Sequence, residues 1–267
     1  NCPECGSKYI SGFRAGTQQI EEKLLEMYPG IRVLRMDADT TKTKDSYEKI
    51  LEAFRNKEAD VLVGTQMIVK GHDFPNVTLV GVLAADMSLS VGDYRAAERT
   101  FQLLTQAAGR AGRGELPGEV VIQTYQPEHY AIIHAADQDY KSFYEEEVLY
   151  RDLMQYPPVA NMLGVQIFAS DEAEGVKVAG WLAEKAKERA DCMRETYGWS
   201  LKERVQVIGP APAGIGKIND IYRFVFYIKH ADMEILVQHK DFLEEMAKGV
   251  EHRGMNIQFD FNPQNGL

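Results

Sequence analysis

At 267 residues the chain is too long for a small disulfide-stapled module and long enough for two domains. Its 45% hydrophobic and 26% charged composition is that of an ordinary globular protein, and it contains no apolar run of bilayer-spanning length. Three cysteines argue against a disulfide framework, and no signal peptide is recognisable, so a cytoplasmic protein is the expectation. The net charge of -10 gives no support to a broad basic nucleic-acid face, although it is compatible with a local basic groove.

The chain opens on Cys2-Pro3-Glu4-Cys5, a knuckle of the kind that supplies half of a tetrahedral zinc site. No second Cys pair follows, so Cys2 and Cys5 are expected to be a severed half-site, empty or poorly occupied. An initial Asn inside such a motif reads as a piece excised from a longer protein. Gly16-Thr17 then caps an amphipathic helix to Met27, which Pro29-Gly30 stops. Ile31 to Met36 alternates as a strand, and Asp37 to Thr41 is its polar exit. A helix with Tyr47, Ile50, Leu51 and Phe54 at helical spacing follows.

Apolar strands are expected at Asp60–Thr65, Val77–Leu83 and Gly118–Thr124, the last two separated by a helix that carries Arg110. Strands alternating with helices imply crossover connections and one parallel sheet covered on both faces. Ligands bind such sheets outside the carboxyl ends of the strands. Helical stretches run from Pro127 to Met154, and Tyr156-Pro157-Pro158 marks the domain boundary. Beyond it the order is strand, long helix from Glu172 to Tyr197, two strands, helix and strand. That βαββαβ order is expected to form a ferredoxin-like α+β unit.

Two stretches carry chemistry. Val63 to Phe74 leaves an apolar strand for a polar, glycine-containing loop. There Gly71 permits close backbone approach, Asp73 can accept from a ribose hydroxyl, Thr65 can donate to a phosphate and Lys70 can supply a cation. His72 has no second metal ligand at a suitable spacing. In Gln106-Ala-Ala-Gly109-Arg110-Ala-Gly112-Arg113, the arginines stand three apart among small neighbours. That pattern suits a bidentate clamp on phosphate. An isolated Arg-x-x-Arg is more often a solvated basic helix end.

The complete string resembles motif VI of superfamily 2 helicases, in which a glutamine and two arginines face a nucleotide across a cleft between lobes. With Cys2-Pro-Glu-Cys5-Gly6, Met36-Asp-Ala-Asp-Thr-Thr41, Gly64 to Phe74, Asp93 to Thr100, Gly209 to Ala213 and Tyr222-Arg223, the chain resembles the PriA (primosomal protein N′) helicase family nearly end to end. The resemblance implies that Gly71, Asp73, Arg110 and Arg113 contact ATP with its Mg2+ from the second motor lobe. It implies that Gln106 couples ATP to DNA, and that Thr65, with Lys70 beside it, meets the tracked strand. Asp93, Arg95, Glu98 and Arg99 would brace the loop by ion pairs. Cys2 and Cys5 would finish one of two Zn2+ sites.

The implied domains are the end of a zinc-binding insertion (1–12), a RecA-like lobe 2 with trailing helices (13–156) and an S10-like C-terminal domain (157–267). The implied activity is ATP-driven 3′ to 5′ unwinding of DNA in replication restart and primosome assembly. Forked and single-stranded DNA, single-stranded-DNA-binding protein and other primosome proteins are the implied partners, with no membrane. Two rivals remain: a superfamily 2 translocase of branch-migration type, and a non-enzymatic nucleic-acid or protein docking module built on the ferredoxin-like unit. Ala213-Gly-Ile-Gly-Lys217-Ile218 resembles a phosphate loop but has Ala211 where the first Gly belongs and Ile218 where the hydroxyl belongs. It is read as a loop between strands. Without that cradle and without an Asp-Glu-x-His box, these residues alone are expected to hydrolyse no ATP.

Overall fold

Gly16 precedes α1 (Thr17–Met27), and Gly30, at φ 89°, lets the chain turn into β1 (Val33–Met36). Thr43 begins α2 (Lys44–Arg55), where the Ser46 hydroxyl accepts the Thr43 N–H at 3.3 Å. Met36, Leu51 and Phe74 form a small buried core, with Tyr47, Ile50, Phe54, Leu62 and Ile68 packed on it. The helical spacing of the α2 residues thus marks the face that covers β1. The computed structural model describes residues 16–69, 74–113, 116–200, 203–249 and 255–264.

β1 pairs in parallel with β2 (Val61–Gly64), Met36 opposite Gly64. β3 (Leu79–Val82) pairs in parallel with β4 (Glu119–Ile122). The crossover reading holds for each pair, but the single continuous sheet does not. Among the described residues the four strands make two separate two-stranded sheets. The second pair leaves Leu79 and Val121 exposed, so it lacks the double covering expected of a central parallel sheet. A short helix, α3 (Asp86–Leu89), and α4 (Ala96–Ala108) lie between β3 and β4; α5 (Tyr130–Ala136) and α6 (Tyr140–Met154) follow β4.

The chain divides into one unit of Asn1–Met87 with Arg99–Gln138 and another of Ser88–Glu98 with Asp139–Leu267. α6 therefore groups with the second unit. Phe143, Glu147 and Arg151 are buried on it, and Arg151 reaches Glu98 in the same unit. The rest of that unit is β5 (Asn161–Ala169), α7 (Glu172–Tyr197), β6 (Gln206–Ile218), β7 (Ile221–His230), α8 (Met233–Ala247) and β8 (Met255–Phe261). Asp171 and Asp232 cap α7 and α8 by accepting backbone N–H groups, and Gly198 ends α7 in the left-handed region.

The four strands form one antiparallel sheet in the order β6-β7-β5-β8. Leu163, Val165 and Ile167 of β5 and Phe224, Phe226 and Ile228 of β7 turn toward α7 and α8 and build the main core. Residues 213–218, expected as a loop, belong to β6. The Gly- and Pro-rich run breaks the alternation of a strand, and its pairing with β7 is interrupted between Ile208 and Ala211 and between Pro212 and Lys217. An edge strand tolerates those prolines because one side needs no ladder partner.

Candidate nucleotide-facing arginine site

Phe101, Leu104 and Ala107 recur at helical spacing and bury one face of α4, which leaves Gln102 and Gln106 exposed. The helix ends at Ala108, so Arg110 lies just beyond it and not on it. Gly109 N–H still reaches Thr105 O at 3.0 Å, but Arg110 N–H reaches Ala107 O at 3.0 Å, a tightening that closes the last turn. Gly112 sits at φ 72°, and its N–H donates to Val77 O at 3.1 Å. A Cβ there would stand 2.7 Å from Gly118 N, so the turn requires glycine twice over, for conformation and for approach.

Arg113 folds back so that its Nε donates to Gly109 O at 2.5 Å. That contact satisfies a carbonyl left open at the helix end and places a cation on the negative end of the helix dipole. The structural role anticipated for an isolated basic helix end is therefore real, and it fixes the arginine in place. Gln106 and Arg113 are exposed, whereas Arg110 is half-buried. Gln106 thus stands on the last turn of α4, and Arg110 and Arg113 on the glycine turn beyond it, with the Arg110 Nε buried.

Thr65 is exposed directly after β2, at the carboxyl end of the β1-β2 pair. The Gly112 turn instead joins the amino end of β3. The arginine turn thus departs from the expectation that working residues gather at carboxyl ends. The other end of the Thr65 segment is anchored by Phe74, whose ring meets Phe54 edge-to-face at 5.1 Å between centroids. Gly64 lies so close to β1 that a Cβ would stand 2.6 Å from Met36 O. Lys70, Gly71, His72 and Asp73, like Cys2 and Cys5, lie outside the described residues. Among the described residues no group of three or more His, Cys, Asp or Glu could hold a metal.

Two arrangements were less legible in the sequence. At the carboxyl end of β1, the Asp37 carboxylate accepts N–H groups of Asp39 and Thr40, each at 3.0 Å, and pairs with Arg35 at 3.0 Å. The Thr17 hydroxyl donates to it as well, and these contacts hold its pKa down at about 2. The expected brace of Arg95 on Glu98 is present at 3.1 Å. Arg151 also reaches Glu98, at 2.7 Å, and Glu147 at 2.6 Å. Burial opposes the charge on Arg151, but the two carboxylates outweigh it and its pKa is raised. An Arg four residues after a Glu on a helix is the only sequence signal for that addition.

A family model described as "Helicase conserved C-terminal domain" matches residues 8–115, and one described as "Primosomal protein N C-terminal domain" matches residues 152–264. The Replication restart protein PriA of Bacillus subtilis is 43% identical over 263 residues, which is 98% of this chain and 31% of that protein. The protein of the same name from Synechocystis is 41% identical over 229 residues, covering 86% of this chain and 26% of that protein. The chain belongs to the PriA family.

It spans about a third or less of the PriA relatives it matches. The first family match covers α1 through the arginine turn, and makes this mixed α/β unit a RecA-like helicase lobe. The second covers β5 through β8, the antiparallel sheet with its two helices. No helix among the described residues is long and apolar enough to cross a membrane.

Proposed function

We propose that these residues are the second motor lobe and C-terminal domain of an ATP-dependent 3′ to 5′ DNA helicase. The parent protein would act in the cytoplasm, restart replication at stalled forks and help to assemble the primosome. The observation that carries this reading is the Gln106–Arg113 string, held on a glycine turn at the end of α4 within a PriA-family chain. Residues 13–156 are assigned to the lobe with its trailing helices and 157–267 to the C-terminal domain, although Ser88–Glu98 and α6 group with the second unit. The βαββαβ order with strands β6-β7-β5-β8, all antiparallel, supports a ferredoxin-like, S10-like assignment for the latter.

In this reading Arg110 and Arg113 stabilise the charge that develops as a phosphoryl group leaves, from across the lobe cleft. Gln106 links that event to the DNA path, and Gly71 and Asp73 contact the nucleotide. Thr65 and Lys70 hold strand phosphates. ATP with Mg2+ supplies the transferred phosphoryl group and its neutralising cation. The sequence contains no Walker cradle, so this chain by itself hydrolyses no ATP. Cys2 and Cys5 furnish half of a Zn2+ site that needs further ligands. Forked and single-stranded DNA, single-stranded-DNA-binding protein and other primosome proteins are the partners.

Arg113→Ala in the longer protein tests the reading. DNA-stimulated ATP hydrolysis should fall by on the order of 10³-fold, as for other arginine fingers. The melting midpoint should change little, because Arg113 is exposed. Near-normal turnover in a destabilised protein would overturn it.

A further inference from the structure

α4 runs as one helix from Ala96 to Ala108, and the arginine turn follows its last residue. Phe101, Leu104 and Ala107 bury one face of it. Apolar packing holds a helix in place but is non-directional, whereas a hydrogen-bonded ion pair has a preferred distance and angle. Contacts of the second kind fasten the first turn of α4. Glu98 accepts from Arg95 Nε and Nη2 at 3.2 and 3.1 Å, and its Oε2 also accepts from Arg151 Nη2 at 2.7 Å. Arg151 is held in turn: its Nε donates to Glu147 Oε1 at 2.8 Å and its Nη1 to Pro157 O at 3.0 Å. Each of its three nitrogens reaches an acceptor, so the guanidinium has one orientation, and the residue is only 7% exposed. Tyr94, just before the helix, stacks on Tyr156 with 5.3 Å between centroids.

A buried ionic cluster is a poor device for stability alone, because apolar residues of similar volume often serve as well. What it adds to apolar packing is a fixed geometry between the elements it joins. From Glu98 the helix continues for about 15 Å to its last residue, at 1.5 Å per residue. A tilt of about 4° at the first turn therefore moves the other end by about 1 Å. A misplacement of that size lowers the rate by about 10²-fold where groups must meet a reacting centre. We infer that Arg151 is a positioning residue for the arginine turn: by gripping Glu98 it sets the tilt and register of α4, and so the places at which Arg110 and Arg113 stand. The inference rests on the helicase reading for the task of those arginines. Its own content is that an anchor lying within the second unit tunes them along a single continuous helix.

The test is DNA-stimulated ATP hydrolysis by the longer protein, with melting midpoints measured alongside. Arg151→Met with Glu147→Leu replaces the ionic partners by apolar bulk, and Glu98→Gln keeps the size of the acceptor while removing its charge. Both should lower kcat about tenfold with the KM for ATP little changed, the sign of a contact that matters only in the transition state. Their melting midpoints should stay near the parent's. Added to Arg113→Ala, either change should slow single turnover by less than about threefold more, because most of what the anchor positions is already gone. Parental kcat in either stable variant would overturn the inference. So would a full further tenfold loss on top of Arg113→Ala, or a fall in kcat that only follows a fall in melting midpoint in both variants. Near-normal turnover by Arg113→Ala alone would instead sink the helicase reading, so the two failures are told apart.

Discussion

His239 on α8 is fully buried, with Nδ1 3.0 Å from Ile235 O and Nε2 without a hydrogen-bond partner among the described residues. Burial, reinforced by the positive field of Arg189 and His230, pushes its pKa down from 6.5 to about 4. The neutral ring belongs to the fold. As pH falls below 6.5 the unfolded chain takes up a proton that the folded chain refuses until about pH 4. The stability associated with this residue is therefore complete above pH 6.5 and is lost progressively toward pH 4. Integrated over that window the loss is about 3 kcal/mol. His239→Leu should remove it: urea unfolding at about pH 4.5 should shift by 2–3 kcal/mol in favour of the variant relative to neutral pH. Parallel pH profiles for the two proteins would show that His239 does not titrate as its burial requires.

At the level of elements, the ion-pair cluster joins the start of α4 to α6 within the second unit. Arg151 is 7% exposed and Glu147 5%, and Arg151 also donates to Pro157 O at 3.0 Å, at the entry to β5. Tyr94 stacks on Tyr156 at 5.3 Å, and Lys229 lies 4.1 Å from the Tyr156 ring centroid. Removing the cation would strand Glu147 and Glu98 with less compensation, a situation that costs about 3–5 kcal/mol where a buried pair loses one partner. Arg151→Ala should therefore lower the unfolding free energy by about that amount. The double change Arg151→Met with Glu147→Leu should recover most of the loss, because apolar replacement of both partners is often neutral. A single variant as stable as its parent would show the cluster to be solvated.

At the scale of the whole molecule, the chain spans about a third of the Bacillus subtilis relative, so in the proposed reading a site shared with the rest of such a protein would be incomplete in it. Zinc is the direct case of the proposal: Cys2 and Cys5 would supply two thiolates, whereas a structural site needs four ligands. Purified chain should contain well below one tightly held zinc per molecule, measured by elemental analysis after mild chelation. A stoichiometric, chelator-resistant metal would contradict the half-site.

Local pattern by itself determined most of the elements. The apolar spacing of Tyr47, Ile50, Leu51 and Phe54 marked a helix face because packing on one side imposes that period. Likewise the long helix expected from Glu172 to Tyr197 is α7, which the structure closes with Asp171 and Gly198. The Gln106–Arg113 string and the PriA resemblance were legible as well, since side-chain type and short spacing are written in the chain. The tertiary structure decided what depends on distant partners. It separated the parallel strands into two pairs, turned residues 213–218 into an edge strand, and placed Arg110 beyond its helix. It also brought Arg151 to Glu98 and Phe168 beside Arg223. Residues 53 and 55 positions apart meet only once helices and strands have packed, and no local periodicity encodes that meeting.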